Sequence, residues 1–129
     1  MLQRFVLIAA WASVAILAYA TLTHVGFVYS IYSKLSPFLM HMSVRTFGRF
    51  EHVIAFAVFG ALFAFAYPRR VVFVWCVVLI SAIALEYLQT LTPDRHGTLI
   101  DALEKIVGGA FGICAARAAL YFWSRSRCP

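Results

Sequence analysis

Four apolar runs, each about long enough to cross a bilayer as a helix, constrain this chain more than any other feature. A hydrocarbon core of roughly 30 Å takes about 20 helical residues. Residues 5–22 carry no charge, and residues 47–67 carry charge only in their first two turns. Residues 71–91 hold one charged group, Glu86, and residues 99–123 are apolar between Lys105 and Arg117. Of the 129 residues, 64% are hydrophobic and 12% charged. A soluble domain is about half apolar and about a quarter charged. The runs lack the alternation of half-buried strands and are too long for soluble ones. In lipid, each segment has to satisfy its own backbone hydrogen bonds, which favours helices. The expectation is an all-α membrane protein: one domain over residues 1–129, folded as a four-transmembrane-helix bundle.

Short links order the helices. Pro68-Arg69-Arg70 joins the second and third, and residues 92–98, with Pro93 and Gly97, join the third and fourth. Such punctuation predicts tight turns, and tight turns predict antiparallel neighbours for helices two to four. The long connection, residues 23–46, mixes Phe27, Tyr29, Tyr32 and Phe38 with Lys34, His41 and Arg45. Aromatic residues favour the headgroup zone, so this segment is expected at the membrane surface.

The net charge of +6 does not point to nucleic acid, because the basic residues flank the spans. Arg4, Arg69, Arg70, Arg125 and Arg127 fall on one side, and Lys34, Arg45, Arg49 and Arg95 on the other. The first set is denser, and the positive-inside rule then puts both termini in the cytoplasm of a multi-pass cell-membrane protein. Residues 1–20 also resemble a secretory signal, with Arg4 before the apolar stretch and Ala18-Tyr19-Ala20 as a small-x-small site. The length of the stretch favours a retained helix. Three cysteines make no disulfide framework. No metal-ligand spacing, Gly-rich phosphate loop or nucleophile elbow is present, so neither metal nor cofactor is expected.

Ionisable groups are costly inside hydrocarbon, roughly 2.5–3.5 kcal/mol each at mid-bilayer. Here they gather at one end. With a rise of about 1.5 Å per residue, His52, Glu86, Glu104 and Lys105 fall at one depth on three helices. Arg49, Gln89, Arg95 and Asp101 form a second layer nearer the surface. Glu86 and Gln89 share a face, being i, i+3. Asp101, Lys105, Gly108 and Gly112 form one stripe of the fourth helix. Gly108-x-x-x-Gly112 is a small-xxx-small pair that lets another backbone approach. Two readings of the charges are open. Glu86 with Lys105, and Asp101 with Arg95 or Arg49, would be bridges that lock the bundle. Alternatively, the cluster is a binding site, which the number of charges favours, since a small bundle gains little from burying so many.

Several short segments resemble the VanZ-like family. They are Arg49-Phe50-Glu51-His52, Glu86-x-x-Gln89, Pro93-Asp94-Arg95, Asp101 and Gly108-x-x-x-Gly112, in that order, within residues 11–116. Arg49 takes a family Lys position, and His52, Glu86, Gln89, Arg95 and Asp101 take matching ones. Gly48 stands where the family often has Asp, Asp94 replaces a Gly, and Lys105 replaces an Asn. The resemblance implies a small integral membrane protein of the bacterial cell envelope. The family's founding member is linked to low-level resistance to teicoplanin-type glycopeptides, and the family's biochemical mechanism is not settled.

Four functions compete. In a cell-envelope binding protein, the outward-facing pocket would hold a lipid headgroup or glycan-lipid. Arg49, Arg95 and Lys105 would meet phosphate or carboxylate, while Glu86, Gln89 and Asp101 would accept hydroxyls. In a membrane enzyme acting on an envelope lipid or polymer, His52 would serve as acid or base beside Glu86 or Asp101. A structural role, as a homo-oligomer or as a subunit of a larger membrane complex, would use the bulky aromatics of helices two and three as contact surface. A small multidrug exporter fits only in size, since it needs an acidic residue in the first helix and this one has none.

Overall fold

Residues 1–22, 44–91 and 98–126 are described by the structure, a computed structural model; for residues 2, 22 and 44–50 it describes the backbone alone. The described residues form helices α1 (Leu2–Leu22), α2 (Val44–Ala66), α3 (Val71–Thr90) and α4 (Leu99–Ser126), with no strand among them. Three of the helices are long and apolar enough to cross a membrane, over Gln3–Thr21, Val71–Thr90 and Leu99–Ser126. The described apolar stretch of α2, Glu51–Ala66, is shorter. Most of the expected interfacial segment, residues 23–43, lies outside the described residues, and residues 44–46 are the first turn of α2.

Helices α1, α2 and α4 overrun the apolar runs that announced them. Hydropathy marks the part that suits hydrocarbon, whereas a helix continues until its backbone ladder is interrupted. Pro68 interrupts it after α2, since proline cannot continue a helix. The turn closes with Tyr67 N–H on the Phe63 carbonyl (2.9 Å) and Arg70 N–H on the Tyr67 carbonyl (3.0 Å). Val74 N–H on the Arg70 carbonyl (3.1 Å) then starts α3.

The core is built on two faces of α2. One face is aromatic: the rings of Phe56, Phe59 and Phe63 are buried and in contact, with centroids 5.6 and 5.0 Å apart. Helix α1 lies along this face. Trp11 meets Phe63 edge-on at 5.5 Å and donates its indole N–H to the Tyr67 hydroxyl at 3.0 Å. The other face is nearly bare and takes α4. A Cβ on Gly108 would stand 2.9 Å from the Val53 carbonyl carbon, and one on Gly112 would stand 2.7 Å from that of Ala57. These are backbone atoms, so neither position has room for a side chain. Gly60 of α2 answers from the other side, against the backbone of Gly109. The small-xxx-small pair thus brings α4 onto the backbone of α2 itself. Large apolar side chains point outward instead, among them Phe5, Ile8 and Ile16 of α1, Ile83 of α3 and Phe111 of α4. Water would penalise that surface and lipid does not.

Gly112→Leu and Gly108→Leu are each expected to lower stability by about 1–3 kcal/mol or more through overpacking. Thermal unfolding in mild detergent checks this. Midpoints equal to wild type for both variants would contradict the close α2–α4 contact.

Candidate functional site

The end of α3 and the start of α4 bring the polar residues together. Glu86 and Gln89 lie on the inward face of α3, and Lys105 lies on the inward face of α4, one turn before Gly108. All three are buried, with exposures of 8%, 5% and 0%. Lys105 Nζ donates to Glu86 Oε2 in a close ion pair, and to Gln89 Oε1 at 3.2 Å. Glu86 Oε1 accepts the backbone N–H of Thr98 at 2.7 Å. Gln89 Nε2 donates to the Thr21 carbonyl at 3.2 Å. One continuous chain of hydrogen bonds therefore runs from the N-terminus of α4, through α3, to the last turn of α1. Burying a charge is costly unless it is paired and hydrogen-bonded. Here the pair sums to zero, and both oxygens of Glu86 hold a donor.

Thr98 joins this network through local helix chemistry. It is the N-cap of α4: its Oγ1 accepts the Asp101 N–H (3.2 Å), and its carbonyl accepts the Ala102 N–H (3.2 Å). In a capping box the N-cap N–H would meet the side chain three residues on. In this chain it meets Glu86 of the neighbouring helix instead. A carboxylate at a helix N-terminus is also favoured by the helix dipole, which Glu86 and Asp101 both exploit.

Of the residues expected at the site, Lys105 joins Glu86 and Gln89, and Asp101 is linked to them through Thr98. Glu104 is the half-buried neighbour of Lys105. His52 is half-buried in α2, immediately before Val53, whose backbone abuts Gly108, so it belongs to the same end. Arg49 lies in α2 with its side chain outside the described part, and Arg95 lies outside the described residues. Sequence reasoning missed Thr98 and Thr21. The Thr98-x-x-Asp101 cap was a readable signal for the first. Thr21 contributes a backbone carbonyl, for which a sequence carries no signal. Among the described residues, no three His, Cys, Asp or Glu side chains are grouped to hold a metal ion.

Directly inward of the network is an apolar groove of about 160 Å³ between α1 and α3. Leu17 and Ala18 of α1, Phe59 of α2, and Ser81, Ala84 and Leu85 of α3 line it. Leu85 adjoins Glu86 in the chain, and Ala18 lies one turn from Thr21, so the groove lies within about a turn of the polar network along α1 and α3. A family model described as VanZ/LLP1 matches residues 5–122, nearly the whole chain. The chain belongs to the VanZ/LLP1 family. No curated protein and no solved structure matches it. The VanZ/LLP1 region contains every member of the hydrogen-bonded chain, from Thr21 to Lys105, together with the groove and the glycines of the α2–α4 contact.

The network is asymmetric, and a charge exchange exposes this. Glu86→Lys or Lys105→Glu alone is expected to cost about 3–5 kcal/mol, because each leaves an uncompensated buried charge. The double exchange restores the ion pair but turns an ammonium toward the Thr98 N–H. It should recover only part of the loss, with about 1–3 kcal/mol missing for the unsatisfied amide. Unfolding in detergent measures all three; complete recovery in the double variant would contradict the Thr98–Glu86 bond.

Proposed function

We propose that this VanZ/LLP1 protein binds an amphiphile of the cell envelope, taking its polar headgroup at the charged end of the bundle and its apolar chain in the adjoining groove. One observation carries this reading: a buried polar network and an apolar groove include consecutive residues of α3, Glu86 and Leu85. An amphiphile has the same two-part chemistry. The groove is lined almost wholly by apolar side chains, which suit an acyl chain.

Within this reading the roles divide by depth. Lys105, Glu86 and Gln89 hydrogen-bond through Lys105 and to the Thr98 N–H and the Thr21 carbonyl, and form the floor. Asp101, Glu104 and His52, with Arg49 and Arg95, form the rim, where carboxylates accept headgroup hydroxyls and guanidinium groups meet phosphate or carboxylate. A lipid-linked glycan or a phospholipid headgroup fits that donor and acceptor set. Sequestering or shielding such an envelope component would connect the site with glycopeptide tolerance.

We place all four helices across the cell membrane, with α2, α3 and α4 running alternately up and down. Pairing order supports this. Val53 and Ala57 of α2 oppose Gly108 and Gly112 of α4 in the same order. Val78 and Glu86 of α3 oppose Gly109 and Lys105 of α4 in reverse order. The polar end then faces outward and both termini face the cytoplasm.

Native mass spectrometry of the protein extracted in mild detergent tests the binding. The expected result is a co-purified amphiphile that is lost in Asp101→Ala, which alters the rim, and in Ala84→Phe, which fills the groove. An adduct retained in both folded variants, or none on the wild type, would overturn the reading.

A further inference from the structure

The opposite end of the bundle has a separate chemistry. The α2–α3 turn, Tyr67 to Arg70, carries the exposed Arg69 and Arg70. Two long-range hydrogen bonds draw further arginines to this turn. Arg117 of α4 donates to the Pro68 carbonyl at 2.8 Å. Gln3 of α1 donates to the Ala66 carbonyl at 2.8 Å, which holds the first turn of α1, where Arg4 follows Gln3, against the end of α2. Arg4, Arg69, Arg70 and Arg117 are all exposed, so four guanidinium groups, from two helices and the turn, lie at this end of the bundle. Beyond them on α4, Arg125 lies over the Tyr121 ring at 5.6 Å.

No carboxylate offsets this collar among the described residues. Glu51 lies near the start of α2, Glu86 near the end of α3, and Asp101 and Glu104 in the first two turns of α4, all at the polar end. The aromatic residues mark the arginine end as a membrane boundary. Tyr67 packs against Phe73 at 5.0 Å and takes a hydrogen bond from Trp11, and Tyr121 and Trp123 are exposed on α4. Aromatic side chains concentrate where bilayer meets water. Exposed guanidinium groups near such a boundary are within reach of lipid phosphates. Arginine meets phosphate through paired N–H donors, and basic pockets between membrane helices bind anionic headgroups.

We propose that the arginine collar around the α2–α3 turn is a docking site for anionic phospholipids, selecting them over zwitterionic ones. The site is independent of the amphiphile site at the other end. Arg117 has a double part: one of its N–H groups holds the turn, and its remaining donors are available to a headgroup. Arg69 and Arg70 carry no such structural duty.

The test offers the full-length protein in mild detergent equal amounts of phosphatidylglycerol and phosphatidylcholine and reads bound lipid by native mass spectrometry. The wild type should retain phosphatidylglycerol preferentially. Arg69→Gln with Arg70→Gln should reduce that preference by about thirtyfold, at about 1 kcal/mol for each arginine near a charged surface. The preference should also fall as salt is raised. An unchanged thermal midpoint shows that this double variant folds; if it does not fold, Arg4→Gln gives the same readout with the turn intact. Equal retention of the two lipids by the wild type would overturn the proposal. So would an unchanged preference in the folded variants, or displacement of phosphatidylglycerol by millimolar inorganic phosphate.

Discussion

The pairing of Lys105 with Glu86 is the interaction on which the polar half of this molecule depends. A lysine with no exposure in a small membrane bundle demands a carboxylate and further acceptors, because an isolated buried charge is among the most costly groups to place. Glu86 supplies the carboxylate and Gln89 the second acceptor. Each partner then needs its own remaining valence satisfied. Glu86 takes the Thr98 amide and Gln89 gives to the Thr21 carbonyl, which draws in the start of α4 and the end of α1. One charge in the interior thereby ties together three helices whose apolar surfaces would meet lipid as readily as one another.

The glycine face of α4 makes this possible. With no side chains at Gly108 and Gly112, α4 sits against the backbone of α2, and Lys105, one turn higher on the same stripe, is carried into the interior. The aromatic face of α2 packs against α1 through side chains instead of backbone. Helices α1 and α3 meet at Gln89 and Thr21, and the groove lies between them beneath that contact. The polar network and the close glycine contact thus share the same stripe of α4.

Much of this was legible in the sequence, for physical reasons that can be named. Apolar length located the helices, and helical periodicity put Glu86 and Gln89 on one face and Lys105 with Gly108 and Gly112 on one stripe. Equal distance from the helix ends placed Glu86 and Lys105 at one depth, where the structure joins them. The resemblance to the VanZ-like pattern rested on these same residues, and the VanZ/LLP1 match covers them. At the position where that pattern has Asn, this chain has Lys105, which becomes the counter-ion of Glu86. The helix ends were less legible, because hydropathy reports lipid and not backbone hydrogen bonding; α2 begins at Val44 and α4 runs to Ser126. Partners that act through the backbone were not legible at all. The Thr98 amide and the Thr21 carbonyl belong to every residue type, so their use depends on where the helices arrive.

A double-mutant cycle on Glu86→Gln and Lys105→Met, followed by reversible unfolding in detergent, measures the central claim most directly. Each single variant leaves its partner buried and uncompensated, while the double variant removes both charges at once. The account predicts a double variant more stable than the sum of the single losses by about 2–3 kcal/mol, within the range for residues in direct contact. Losses that add to within about 0.5 kcal/mol, as for distant sites, would contradict it.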